Sequence, residues 1–244
     1  FGNLNDPGCN LPFAFSEGGE TAYLRSGSEG QVTGYVDEED FNASETGVAF
    51  GRYEKSTGTF NFVAMSENTP GEENAYPLVG PIVINEIMYN PASDNANEEY
   101  LELHNITDSP VSLEIYDEQY GVYVSWKFND GIDFTFPAGT SIPAGGYLIV
   151  AREPLTFNAT YSVPTGVEVL GPYDGKLSNG GEKVDLVMPG DKEGSERYYI
   201  RVDRVNYDDE DGWPVSPDGY GDSLIRLESE AYGNDPNNWQ GGSP

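Results

Sequence analysis

Polar and apolar residues alternate along this chain with a period of two, in short runs. Nowhere do apolar positions recur at i, i+3, i+4 and i+7 over three turns, so regular helix is nearly absent from the pattern. The runs IVINEIMYN (82–90), EYLELHN (99–105), GVYVSWKF (121–128), GYLIVAR (146–152), EKVDLVM (182–188), YYIRVDRVNY (198–207) and SLIRLE (223–228) are rich in β-branched and aromatic residues. Each is bounded by Gly, Pro, Asn or Asp, as strands are. In EYLELHN, Leu101, Leu103 and Asn105 share one face and Tyr100, Glu102 and His104 the other, which predicts a sheet with one buried and one wet side. Seven short strands over about 145 residues predict an all-β chain, an immunoglobulin-like antiparallel β-sandwich.

The pattern also repeats. FSEGGETAYL (15–24) returns as LSNGGEKVDL (177–186), 162 positions later, and GVAFGRYE (47–54) returns as GDSLIRLE (221–228), 174 positions later. Pro70 matches Pro244 at the second offset, so the later copy carries 12 extra residues between its glycine pair and its last strand. Internal repetition signals copies of one unit. The front half of the later copy, from IVINEIMYNP to GYLIVAR, has no counterpart in the earlier one. The expected organisation is therefore a tandem repeat with an incomplete first copy: the C-terminal half of a domain over 1–76, a linker over 77–81 and a complete domain over 82–244.

Charge narrows the range of partners. Forty-two acidic against 12 basic residues give a formal net charge of −30, which repels phosphate backbones and anionic lipid surfaces. Nucleic acid and membrane insertion are excluded on this reading, and no run of about 18 apolar residues exists to span a bilayer. With 13% aromatics the chain folds rather than remaining an acidic coil. Cys9 is the only cysteine, so no intramolecular disulfide can form and packing alone must hold the fold. A surplus of acid suits surroundings rich in salt or calcium, which points outside the cell. A start at Phe1 rather than Met reads as a processed or trimmed product.

In order, PIVINEIMYNP, EEYLELHN, FTFPAGTSIPAGGYLIVAREP, GKLSNGGEKVDL, VDRVNYDDEDGWP and DGYGDSLIRLE resemble the lamin-tail domain of the secreted prokaryotic type. The resemblance covers residues 80–244 as a whole domain and 13–76 as a back half; the long segment from Asp117 to Asp133 departs from the family pattern. It implies an immunoglobulin-like sandwich acting as a non-catalytic accessory module on an extracellular or cell-surface protein. The fold alone names no site.

Candidate chemistry is sparse. Asp208, Asp209, Glu210 and Asp211, in a turn-rich loop with Gly212, supply the hard oxygens that calcium takes, although EF-hand spacing fails because Tyr207 stands where the first carboxylate belongs. Asp94, Glu98 and Glu99 follow the same logic. His104 is the only histidine and sits mid-strand, where an exposed side chain is expected, so neither a zinc site nor a nucleophile triad is supported and no enzyme is predicted. Gly18-Gly19 and Gly180-Gly181 lack the lysine of a phosphate loop and read as tight turns needing positive φ. Trp213 and Trp239 read as plugs at the ends of the sandwich. Tyr120, Tyr123 and Trp126, in the departing segment, are the expected partner-contact surface. Asn42, Asn105 and Asn158 head glycosylation sequons. The expected role is a structural module that self-associates or binds neighbouring repeats, completed by strands from another segment or subunit. The alternative is a glycan- or calcium-dependent binding module serving a catalytic neighbour.

Overall fold

A computed structural model describes residues 15–244; Cys9 and the first residues of the half domain expected over 1–76 lie outside them. The first four strands form two separate hairpins. β1 (Gly19–Ser28) pairs antiparallel with β2 (Gln31–Asn42), and β3 (Phe50–Glu54) with β4 (Phe60–Ala64). Residues 77–81, read as a linker, are tied in by backbone bonds: Leu78 N–H donates to Ala64 O at 2.8 Å, and Pro81 O accepts from Ile106 N–H at 3.1 Å.

The remaining strands are β5 (Ile82–Met88), β6 (Tyr100–Asn105), β7 (Val111–Ser112), β8 (Glu114–Asp117), β9 (Val122–Ser125), β10 (Lys127–Asp130), β11 (Phe134–Thr135) and β12 (Ser141–Ile142). They continue as β13 (Tyr147–Ala151), β14 (Glu168–Leu170), β15 (Glu182–Glu193), β16 (Glu196–Tyr207), β17 (Ser223–Arg226) and β18 (Trp239–Gly242). Two sheets face each other, a six-stranded one in the order β14-β13-β6-β5-β17-β18 and a four-stranded one in the order β11-β10-β15-β16. Between them lies one core. Ile84, Leu101, Leu103, Leu148 and Val150 come from the first sheet, and Phe128, Val184, Leu186, Val202 and Val205 from the second. Trp213 and Trp239 close it, with ring centroids 6.2 Å apart.

Two features depart from the sequence pattern. The outer face of β6 is not fully wet, because α1 (Pro154–Thr160) lies over it and Phe157 meets Tyr100 edge-on at 5.0 Å. Glu153 caps this helix through Leu155 N–H and Pro154 opens it, but seven residues are too few to show a helical period. GVYVSWKF is two strands rather than one. β9 pairs with β8 and β10 with β15, and between them Trp126 N–H donates to Leu113 O at 2.8 Å.

The repeated sequence has a repeated geometry. Leu24 faces Asp37 in the first hairpin as Leu186 faces Asp203 in the β15–β16 hairpin, and Glu20 faces Phe41 as Glu182 faces Tyr207. Gly19 and Gly181 adopt φ of +94° and +102°, where a Cβ would come within 2.5 Å of Phe41 O and 2.9 Å of Tyr207 O. In each turn a glutamate accepts from the backbone four residues earlier: Ser16 N–H to Glu20 Oε1 at 2.5 Å, Ser178 N–H to Glu182 Oε2 at 2.9 Å.

Candidate interaction surface

The complete sandwich is tied across its interior by a charge pair. Asp203 on β16 accepts from Arg226 Nη2 of β17 at 2.6 Å and from Ile84 N–H of β5 at 2.8 Å, so one carboxylate joins three strands from both sheets. The Arg226 side chain is fully buried and its guanidinium stands 5.3 Å from the centre of the Trp239 ring. Burial pushes the Asp203 carboxyl above the usual range; Arg226 and the backbone amides of Ile84 and Arg204 pull it back. A second buried acid, Glu99, accepts from Leu177 N–H at 2.9 Å and Tyr173 O–H at 3.1 Å.

The first two hairpins rebuild the same corner without its cover. Arg52 on β3 donates from Nη2 to Asp37 Oδ1 at 2.6 Å and from Nε to Glu39 Oε1 at 2.5 Å. Phe50 packs on Phe41 at 5.7 Å and on Phe62 at 6.0 Å, joining the hairpins as the core joins β16, β17 and β18. What differs is exposure. Leu24 is 67% exposed and Leu186, at the same register position, 0%; Val36 is 45% exposed and Val202 8%. β17 lies between β5 and β18, whereas β3 pairs with β4 alone among the described residues. Leu24 is thus open on the face that carries Asp37 and Glu39, Val36 is open on the opposite face, and among the described residues the free edge of β3 is met only by the Asn74 side chain, whose Nδ2 donates to Arg52 O at 3.0 Å.

The opposite face of the β3–β4 hairpin is occupied. Tyr53 meets Tyr76 edge-on at 5.4 Å and Tyr232 at 5.3 Å, while Val63 and Met65 pack on Tyr232. Burial pushes the Tyr53 hydroxyl up to about 12. Tyr232 N–H donates to Tyr76 Oη at 2.9 Å, and Ser56 N–H to Asp235 Oδ2 at 2.9 Å. A cleft of about 420 Å³ remains beside this contact, lined by Phe50, Leu78, Ile106, Met188 and Ile200 among others.

The residues singled out by sequence fall elsewhere. Asp208, Asp209, Glu210 and Asp211 lie in the loop after β16, where Glu210 N–H donates to Asp208 Oδ1 at 2.9 Å and Asp211 takes φ +49°. Among the described residues no three His, Cys, Asp or Glu side chains converge as a metal site. Of the other acidic group, Glu98 accepts from Ser93 O–H at 2.7 Å, and Glu99 is the buried acid already described. Tyr120 and Tyr123 are exposed, and Tyr123 stacks obliquely on exposed Tyr116 at 5.0 Å. Trp126 leaves this group: it is 4% exposed and belongs to the core, because the chain turns inward between β9 and β10. His104 is half-buried rather than exposed, stacked on Tyr147 at 4.3 Å with Nδ1 3.0 Å from Ser229 Oγ. Asn105 is fully buried, its Nδ2 donating to Ser109 O, Ile142 O and Pro143 O, whereas Asn42 and Asn158 are exposed. The Asp37–Arg52 pair was missed. Part of its signal was the match of Arg52 to Arg226 inside the second repeated segment; Asp37 and Asp203 lie outside both segments, in the Val-Asp pairs 36–37 and 202–203.

Two facing antiparallel sheets around one core define an immunoglobulin-like β-sandwich. The Lamin Tail Domain family model matches residues 77–209, more than half of the 244 residues, and the chain belongs to this family. The lamin tail domain is a non-enzymatic, immunoglobulin-like fold of the kind that serves in structure and interaction. No curated protein matches the chain. Among the described residues no helix is long and apolar enough to cross a membrane.

Proposed function

We propose that the chain is a non-catalytic structural or interaction module of an extracellular or cell-surface protein of the secreted prokaryotic type. It consists of one complete lamin tail domain over 82–244 and the back half of another over 1–76. The half copy is the contact surface, completed by strands from elsewhere. One observation carries this reading: Leu24, in the register position of fully buried Leu186, is 67% exposed. A face patterned for a core and left open is a face for a partner. Hydrogen exchange on the isolated chain tests it. The amides of β1 and β2 should exchange far faster than those of β15 and β16. Equal protection of the two hairpins would show that the half copy needs no completion.

The exposed cluster Tyr116, Tyr120 and Tyr123 favours a second reading, a glycan-binding module accompanying a catalytic domain. Glycan-array binding lost on Tyr123→Ala would establish it; an array without signal removes it. A calcium-dependent form would draw on Asp208 to Asp211, and a melting temperature unmoved by calcium removes that form.

A further inference from the structure

We infer that the open corner of the half copy is a slot for one extended strand with the sequence pattern of β5, and that Asp37 is its anchor. The inference rests on the reading of the half copy as an incomplete domain and names what completes it.

In the complete sandwich, β5 does three things at this corner. It pairs antiparallel with β17, Ile87 opposite Leu224 and Glu86 opposite Ile225. It sends Ile84 N–H to Asp203. It places Ile82, Ile84 and Ile87 in the core over Leu186 and Val202, with a register shift between Ile84 and Glu86. Each acceptor of these contacts exists in the half copy. Phe50 and Gly51 of β3 stand where Leu224 and Ile225 stand in the repeat, and on the side away from β4 no strand pairs with β3 among the described residues; only the Asn74 side chain meets that edge, at Arg52 O, and an incoming strand displaces it. Asp37, held by Arg52, stands where Asp203 stands. Leu24, directly opposite Asp37 and on its face of the hairpin, is the apolar floor.

The occupant is therefore defined chemically. It is an extended segment with apolar side chains at the places of Ile82, Ile84 and Ile87 and polar residues at Asn85 and Glu86. It runs antiparallel to β3 and donates one backbone N–H to Asp37. Main-chain bonds to β3 supply affinity, and the spacing of the three apolar side chains supplies selectivity. A second folded copy of this chain cannot supply the strand, because its β5 is held between β6 and β17. The donor is a polypeptide segment outside residues 15–244.

The test uses the whole chain and a fluorescein-labelled peptide with the sequence of residues 80–91, GPIVINEIMYNP, followed by fluorescence anisotropy. Saturable binding is expected, with a scrambled peptide giving none. Leu24→Glu, at a position where an exposed side chain leaves the fold intact, should abolish binding. Asp37→Ala, or N-methylation of the peptide at the isoleucine equivalent to Ile84, should each weaken it roughly tenfold, the scale of one charge-assisted hydrogen bond. Absence of binding, or binding that Leu24→Glu leaves unchanged, overturns the strand assignment. If the peptide fails while β1 and β2 exchange rapidly, the slot takes another partner and the interaction-module reading stands. If those strands are already protected, both fall.

Discussion

Arg52 reaches across from β3 to Asp37 on β2 at 2.6 Å, and Arg226 reaches across from β17 to Asp203 on β16 at the same distance. The two contacts share a donor atom, Nη2, and a length, and have opposite surroundings. Arg226 is sealed from solvent, while the Arg52 side chain is 44% exposed. Energetic weight follows surroundings rather than geometry. An exposed pair is screened by water and salt, and a buried one leaves an uncompensated charge when half of it is removed.

Asp203→Ala should therefore destabilise the chain by about 3–5 kcal/mol in urea unfolding. Asp37→Ala should leave the unfolding midpoint within the scatter of measurement. Equal losses from both would mean that the first corner is already closed in the isolated chain.

The apolar positions predict a parallel asymmetry. Leu186→Ala should cost about 2–5 kcal/mol through lost burial and a cavity, whereas Leu24→Ala should stay within roughly 0.5 kcal/mol. Chemical denaturation of the two variants side by side decides it.

Trp126→Ala should act on stability. Truncating a core tryptophan costs about 3–5 kcal/mol, and the loss should show in thermal unfolding before any binding is measured. Tyr123→Ala, at a 66% exposed position, should unfold as the unaltered chain does.

His104 offers a pH readout free of overlap, being the only histidine. Its pKa is held below the ordinary 6.5, first by burial and further by the charge of Arg226, against a backbone hydrogen bond at Gly145 that raises it. Since the unfolded chain takes up the proton at the higher pH, the stability linked to neutral His104 is complete above about 6.5 and is lost as pH falls through the folded value. The single imidazole resonance should titrate at lower pH in native protein than in urea. A native midpoint at or above the urea value would contradict the burial seen around the ring.

The strands were legible because each carries its own period-two signal, and all seven expected runs contain strand. What stayed hidden depends on contacts distant in sequence. α1 has two turns and one inward residue, Phe157, too little for a periodic signature. Trp126 sits in a run that looks continuous, and only the switch of partner from β8 to β15 turns its ring inward. Glu99 reads as one acid among 42, and its burial is set by Leu177 and Tyr173, more than seventy residues away. The Asp37–Asp40 run reads as a charge cluster. Only the strand register separates Asp37, which meets Arg52, from Asp40, which meets Thr21.

Residues 77–81 do not dangle between the two parts. Leu78 is bonded to Ala64 at the end of β4, Pro81 to Ile106, and the next residue is the first of β5. Together with the Tyr53–Tyr232 contact, this gives the chain a load path without slack. Tension applied to a strand seated beside β3 would pass through β4 into the middle of the six-stranded sheet as shear along its hydrogen bonds. The short segment is a splice rather than a hinge.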